Sequence, residues 1–272
     1  MSTSHSQSRA TVRSIASLRG KRPIVALTAY TTPMAKILDE HADILLVGDS
    51  LGMVLYGMES TLSVTLDDMI RHTQAVMRGS HKALIITDMP FGTYQASPEQ
   101  AYHNAARVMK ESGAHAVKLE GGVEMAETIA FLTQRGVPVM AHIGLMPQHV
   151  HTMGGYRYQG RNATEAQRIA ADARAVEEAG AWAILIEGTE AALSEAITQN
   201  AAVPTIGIGA GVACDGQILV TEDMVGLNPN PPSFVQKFAD LHGQMHHAAA
   251  SYARAVHERA FPTSTHGYVS KK

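Results

Sequence analysis

Charged side chains recur at one kind of position in this chain, the end of a short apolar run. ILLVG is followed by Asp49 and Ser50, ALIITD ends on Asp88, AVKLE carries Lys118 and Glu120, VPVMAHIG carries His142, and AILIE ends on Glu187. Asp49, Asp88 and Glu120 stand at equivalent ends of three successive runs. If those runs are neighbouring parallel strands, ~4.8 Å apart, the carboxylates converge. Converging carboxylates repel one another and call for a cation, and an oxygen-only donor set favours a hard divalent ion such as Mg2+. The alternative is that each acid only caps the helix that follows it. Lys118 and Glu120 are two apart in one strand and share a face, which AVKLE turns inward. A buried lysine is costly unless paired. Lys118 is therefore either a structural partner for Glu120 or the group that meets an anionic substrate beside the metal. Glu187 is expected opposite the acid cluster across the mouth, where a carboxylate shielded from water can serve as general base; otherwise it complements the dipole of the next helix. His142 reads as a wall residue of the same site. His149 and His151 share a loop but lack a third ligand at zinc spacing. His246 and His247 are expected on a helix surface. The GIGAG run, 207–211, either cradles a phosphate or permits close packing.

These residues need elements to hold them. The apolar runs are short, β-branched and continuous, as in strands buried on both faces. Between them lie helical stretches, so strand and helix alternate along the chain. Eight runs qualify: IVALTAY, DILLVGD, ALIITD, HAVKLEG, VPVMAHIGL, AWAILIEG, VPTIGIGAG and QILVTED. The alternation predicts a (β/α)8 barrel with its active site at the C-terminal ends of the strands, and a doubly wound sheet is the fallback. Thr32 with Pro33, Thr65 with Asp68, Ser97 with Pro98, and Asn162 are expected to open helices. The loops after the second strand (SLGMVLYGMESTLSVT) and the fifth (MPQHVHTMGGYRYQGR) are long enough to suggest function and are candidates for a cover over the site.

The chain has 272 residues, close to the ~250 of one such barrel. Its net charge of −3 argues against a nucleic-acid partner. Cys214 stands alone, so no internal disulfide forms, which fits a cytoplasmic setting. No apolar stretch approaches a membrane span. Residues 1–14 are polar, lack acids and lack the apolar centre of a signal peptide, and are read as a disordered leader rather than a transit peptide. Residues 15–262 are read as one barrel domain and 263–272 as a flexible tail.

Several longer motifs then coincide. LLVGDSLGM, STLSVTLDDMIRHTQAV, DMPFGTY, ARVMKESGAHAVKLEGG, VPVMAHIGLMPQ, GGYRYQGR and IGIGAGVACDGQILV together resemble the ketopantoate hydroxymethyltransferase family over about residues 12–262. Ser63 and Tyr158 depart from the family's usual residues, and neither is a catalytic candidate. The resemblance implies a (β/α)8 barrel that transfers a one-carbon unit from 5,10-methylenetetrahydrofolate to 3-methyl-2-oxobutanoate, toward pantothenate and coenzyme A. It implies Mg2+ on Asp49 and Asp88, with Glu120 a further ligand directly or through water. It implies substrate contacts from Asp49, Ser50, Asp88 and Lys118, Glu187 as proton acceptor, and a homo-oligomer, commonly a decamer. A Mg2+-dependent lyase or mutase of the phosphoenolpyruvate-mutase type is the alternative enzyme, and a non-catalytic barrel would have lost at least one of these reactive residues.

Overall fold

The computed structural model describes residues 9–268. Eight parallel strands close into a barrel in chain order. They are β1 (Ile24–Thr28), β2 (Ile44–Val47), β3 (Leu84–Asp88), β4 (Ala116–Glu120), β5 (Val139–Gly144), β6 (Ala183–Glu187), β7 (Thr205–Ile208) and β8 (Gly216–Leu219), with β8 paired to β1. Every residue of β2, β3, β4 and β5 is buried, as a parallel sheet covered on both faces requires. The expected eighth strand is shorter than QILVTED: it ends at Leu219, and Thr221–Met224 is a turn of helix.

Strand alternation sorts the side chains into two cores. Ile24, Ile44, Leu46, Leu84, Ile86, Ala116, Met140, Ala183, Leu185 and Ile206 form one apolar cluster inside the barrel. The residues between them, such as Ile85 on β3, Val117 and Leu119 on β4 and Ile184 and Ile186 on β6, pack outward against helix residues that include Val76, Val108, Ile129, Ile169 and Val176. Each inward series continues toward the strand's C-terminal end. Leu84 and Ile86 lead to Asp88, Ala116 to Lys118 and Glu120, Met140 to His142, and Ala183 and Leu185 to Glu187. The charged layer is therefore the top storey of the inner core.

The helices start where the sequence signals them. Thr65 caps Leu66–Gly79 in a reciprocal box with Asp68, with bonds of 3.1 and 3.2 Å. Ser97 and Asn162 cap Pro98–Ser112 and Ala163–Glu178. The cap of Thr32–Leu38 is Thr31 rather than Thr32. The Thr32 hydroxyl instead donates to the Ala75 carbonyl of the neighbouring helix at 2.7 Å. The loop after β2 contains its own turns of helix, Leu51–Val54 and Thr61–Ser63.

The barrel lies in a compact unit that extends to Val220, and a second compact unit starts at Thr221. That second unit carries the helix Leu241–His257, on which His246 and His247 are exposed as expected, and a short turn at Ser264–His266. At the other terminus, the leader boundary falls earlier than residue 14. Ala10 N–H donates to the Lys82 carbonyl at 2.7 Å, and Arg9 donates to the Ser80 hydroxyl and the Ala83 carbonyl. The helix Val12–Ala16 buries Ile15. The rest of the expected leader, 1–8, and positions 269–272 of the expected tail lie outside the described residues.

One buried acid secures the entry to β3. Asp39 accepts hydrogen bonds from the Ser80 hydroxyl and from the N–H groups of His81, Lys82 and Ala83. Burial opposes its ionisation, but the bonds from Ala83, Ser80, His81 and Lys82 outweigh burial and hold Asp39 below the usual carboxylate range. A depressed folded pKa contributes stability that is present above the unfolded value and is lost as pH falls through the folded one. Asp39→Ala is expected to cost about 3 kcal/mol at neutral pH, since it leaves several buried donors unpaired. The deficit should shrink as pH falls through the carboxylate range. Urea denaturation of both proteins across that range checks it, and parallel pH profiles would show that the carboxylate charge is not the cause.

Candidate active site

The register of the barrel places the chemistry. Asp88 on β3 lies beside Lys118 on β4, Glu120 beside His142 on β5, and Gly144 beside Glu187 on β6. Because all of the charged side chains point inward, they touch. The Lys118 ammonium lies 2.8 Å from Asp88 Oδ1 and 3.2 Å from His142 Nδ1. On the far side of the ring, His142 Nε2 lies 3.3 Å from Glu187 Oε2. Asp88, Lys118, His142 and Glu187 thus form a continuous line across four adjacent strands. Lys118 pairs with Asp88, and not with Glu120 as its own strand had suggested. Glu187 does not stand alone opposite the acids. It is tied to them through His142 and stays partly open, with its side chain 18% exposed.

The line has a definite proton arrangement. Burial opposes a charge on Lys118, but the carboxylates of Asp88, Asp49 and Glu120 outweigh burial and hold it above the ordinary lysine value. An ammonium has only donors, so His142 Nδ1 must accept. Burial first, and then the Lys118 charge, lower His142 below the usual imidazole range. The neutral ring therefore carries its proton on Nε2, facing Glu187. That contact is close but not aligned as a full hydrogen bond, so Glu187 is steadied without being saturated.

The second group of acids abuts this line. Asp49 N–H donates to Asp88 Oδ2 at 3.0 Å. Burial and then the Asp88 charge push the Asp49 carboxyl up to about 7, against the opposing pull of Lys118 and a hydrogen bond from Gln148. Burial and then Asp49 push Glu120 well above its ordinary value, again against Lys118. Ser50 lies beside them with its hydroxyl 2.8 Å from that of Tyr30. One lysine stands among three buried carboxyls, those of Asp49, Asp88 and Glu120. The donors suit a hard divalent cation, since all are carboxylate oxygens. Among the described residues no three His, Cys, Asp or Glu side chains are gathered into a cage. His149 and His151 belong to no such cage either.

Two residues of the site escaped the sequence reading. Tyr94, fully buried, accepts the Glu120 N–H at 3.1 Å and donates to Gln148 Oε1 at 2.6 Å. Gln148 lies on the turn Pro147–His149 after β5 and contacts both Asp49 and Glu120. DMPFGTY and MPQ contain them, but an uncharged side chain in a loop carries no sign of where the loop returns. The two long loops do meet: the Tyr156 hydroxyl approaches Met53 Sδ at 3.8 Å. Gly144 permits the crowding at the end of β5. Its φ is +91°, and a Cβ there would lie 2.3 Å from Thr189 Oγ1 and 2.4 Å from the Glu187 carbonyl oxygen. In the GIGAG run the close-packing reading applies, since Gly207 abuts Cys214 and Gly211 abuts Ala191.

Comparison with known proteins places this geometry. Phosphonopyruvate hydrolase superposes with a TM-score of 0.63 at 14% identity, covering 96% of this chain and 92% of that one. A 2,3-dimethylmalate lyase of the PEP mutase/isocitrate lyase superfamily gives 0.54 at 19% identity, covering 88% and 94%. At such identities the likeness is one of fold. Sequence relatives are far nearer. The 3-methyl-2-oxobutanoate hydroxymethyltransferase of Rhizobium rhizogenes is 58% identical over 97% of both chains. That of Brucella canis is 57% identical over 100% of this chain and 99% of its own. The family model for ketopantoate hydroxymethyltransferase matches residues 9–264. The chain belongs to the ketopantoate hydroxymethyltransferase family.

Proposed function

We propose that this enzyme takes its one-carbon unit from 5,10-methylenetetrahydrofolate, delivers it to 3-methyl-2-oxobutanoate to give 2-dehydropantoate, and uses Mg2+ held by Asp49 and Asp88, with Glu120 a ligand directly or through water. The observation that carries this reading is the unbroken line from Asp88 through Lys118 and His142 to Glu187, flanked by the buried carboxyls of Asp49 and Glu120.

The division of labour follows from the positions. Asp49, Ser50 and Asp88 line the place where the keto acid's oxygens arrive. When bound, the Mg2+ ion supplies Lewis acidity that draws electrons from the ketone and acidifies the adjacent C–H. Glu187, partly open and steadied by His142, removes the proton from carbon 3. Lys118, fixed in its charged form, stabilises the negative charge that develops on the ketone oxygen. His142 keeps the base and the ammonium at a set separation and, being neutral, adds no competing charge. Carbon 3 then forms a bond to the one-carbon unit supplied by 5,10-methylenetetrahydrofolate; both C–N bonds of the methylene group break, water provides the hydroxyl oxygen, and tetrahydrofolate leaves with the proton lost from carbon 3 and one from water.

Two outcomes test this. In deuterium oxide with Mg2+, wild-type protein should exchange the hydrogen on carbon 3 of 3-methyl-2-oxobutanoate, followed by NMR. Glu187→Gln should slow exchange by ~10^2 to 10^4 while the protein stays folded. Exchange at the wild-type rate in that variant would remove Glu187 from the role of base. Stripping divalent ions with EDTA should stop wild-type exchange, and returning Mg2+ should restore it. Exchange that persists in the stripped protein would exclude the metal.

A further inference from the structure

Gln148 has an unusual set of partners for a loop residue. Its side chain is buried, and its Nε2 donates to Asp49 Oδ2 at 2.9 Å and to the Met89 carbonyl at 3.0 Å. Its Oε1 accepts from the Tyr94 hydroxyl at 2.6 Å and from Gln95 Nε2 at 3.2 Å. Its backbone N–H donates to Glu120 Oε2 at 3.0 Å. One residue arriving after β5 therefore holds a carboxylate at the end of β2 and another at the end of β4.

The orientation of this amide is chemically forced. The Met89 backbone carbonyl only accepts, so the –NH2 must face Met89 and, with it, Asp49. The Tyr94 hydroxyl already accepts the Glu120 N–H, and its own proton is free to go to Oε1. The path closes on itself: Glu120 N–H to Tyr94, Tyr94 to the Gln148 amide, the amide to Asp49, and the Gln148 backbone back to the Glu120 carboxylate. Fixing one oxygen of a buried carboxylate sets the plane of the group and so the direction of its other oxygen. Partners of this kind behind metal-binding carboxylates are worth about 10- to 100-fold in metal affinity.

We propose that Gln148 is a positioning residue that aims the carboxylates of Asp49 and Glu120 at the divalent cation. The proposal rests on the metal reading above. It also ties the turn Pro147–His149 to the chemistry, because the loop that carries Tyr156 also carries the residue that orders the acids.

The test is isothermal titration of metal-stripped protein with Mg2+ alone, with no substrate present. Gln148→Met keeps the size and removes both donor and acceptor, and its Mg2+ Kd should rise about 10- to 100-fold. Lys118, His142 and Glu187 are untouched by this change, so saturating Mg2+ should restore most of kcat. Tyr94→Phe removes the hydroxyl that locks the amide and should raise the Mg2+ Kd several-fold, which serves if Gln148→Met does not fold. A residue that only stabilises the loop would lower the urea midpoint and leave the Kd of the folded protein at the wild-type value. Mg2+ binding that is lost in Asp88→Asn but unchanged in Gln148→Met and Tyr94→Phe would overturn this proposal alone. Wild-type protein that takes up no Mg2+ would overturn the proposal together with the metal reading.

Discussion

An ammonium group almost sealed from water, that of Lys118, lies between a carboxylate and an imidazole, and the top of the barrel is organised around keeping it charged. A lysine so buried would shed its proton if left unpaired. Here Asp88 meets it directly, and Asp49 and Glu120 add their fields. The same ammonium fixes the tautomer of His142 by occupying Nδ1, and through that ring it sets the proton that faces Glu187. A buried cation thus decides which ring nitrogen faces a base two strands away.

The acids pose the opposite problem. They outnumber the lysine, and burial raises the cost of each charge. The layer beneath is largely hydrocarbon: Ile44, Leu46, Leu84, Ile86, Leu185 and Ile206 pack together inside the barrel. The structure answers with directed donors. Asp49 receives the Gln148 amide, Asp88 receives the Asp49 N–H, and Glu120 receives the Gln148 N–H. These bonds hold the carboxylates in place without neutralising them, which leaves their charge available to a bound ion and substrate.

Barrel and chemistry are separable in this molecule. Proteins at 14% and 19% identity share the closed parallel barrel, because layers of aliphatic side chains and covering helices satisfy the same packing rules with many sequences. The charged side chains of this chain lie at the strand ends, and its near relatives align with it over almost the whole length.

Much of this was legible from the chain alone, and for local reasons. Short aliphatic runs separated by amphipathic stretches define a βα repeat. Thr65 with Asp68, and Asn162, mark helix starts, because a cap is satisfied within three or four residues. The spacing of two between Lys118 and Glu120 guarantees a common face. What the tertiary structure decided was partnership. Spacing along β4 offered Glu120 to Lys118, but strand register delivered Asp88, whose Cα lies beside that of Lys118 in the neighbouring strand. The same register put His142 beside Glu120, and its ring, between Lys118 and Glu187, turned an apparent wall residue into the link between those two. Thr31 displaced Thr32 as a cap because the Ala75 carbonyl of the next helix claims the Thr32 hydroxyl. Gln148 and Tyr94 were invisible for the strongest reason. A neutral side chain in a loop acquires meaning only when the closed barrel brings the ends of β2, β4 and β5 to one place, and closure is a property of the whole chain.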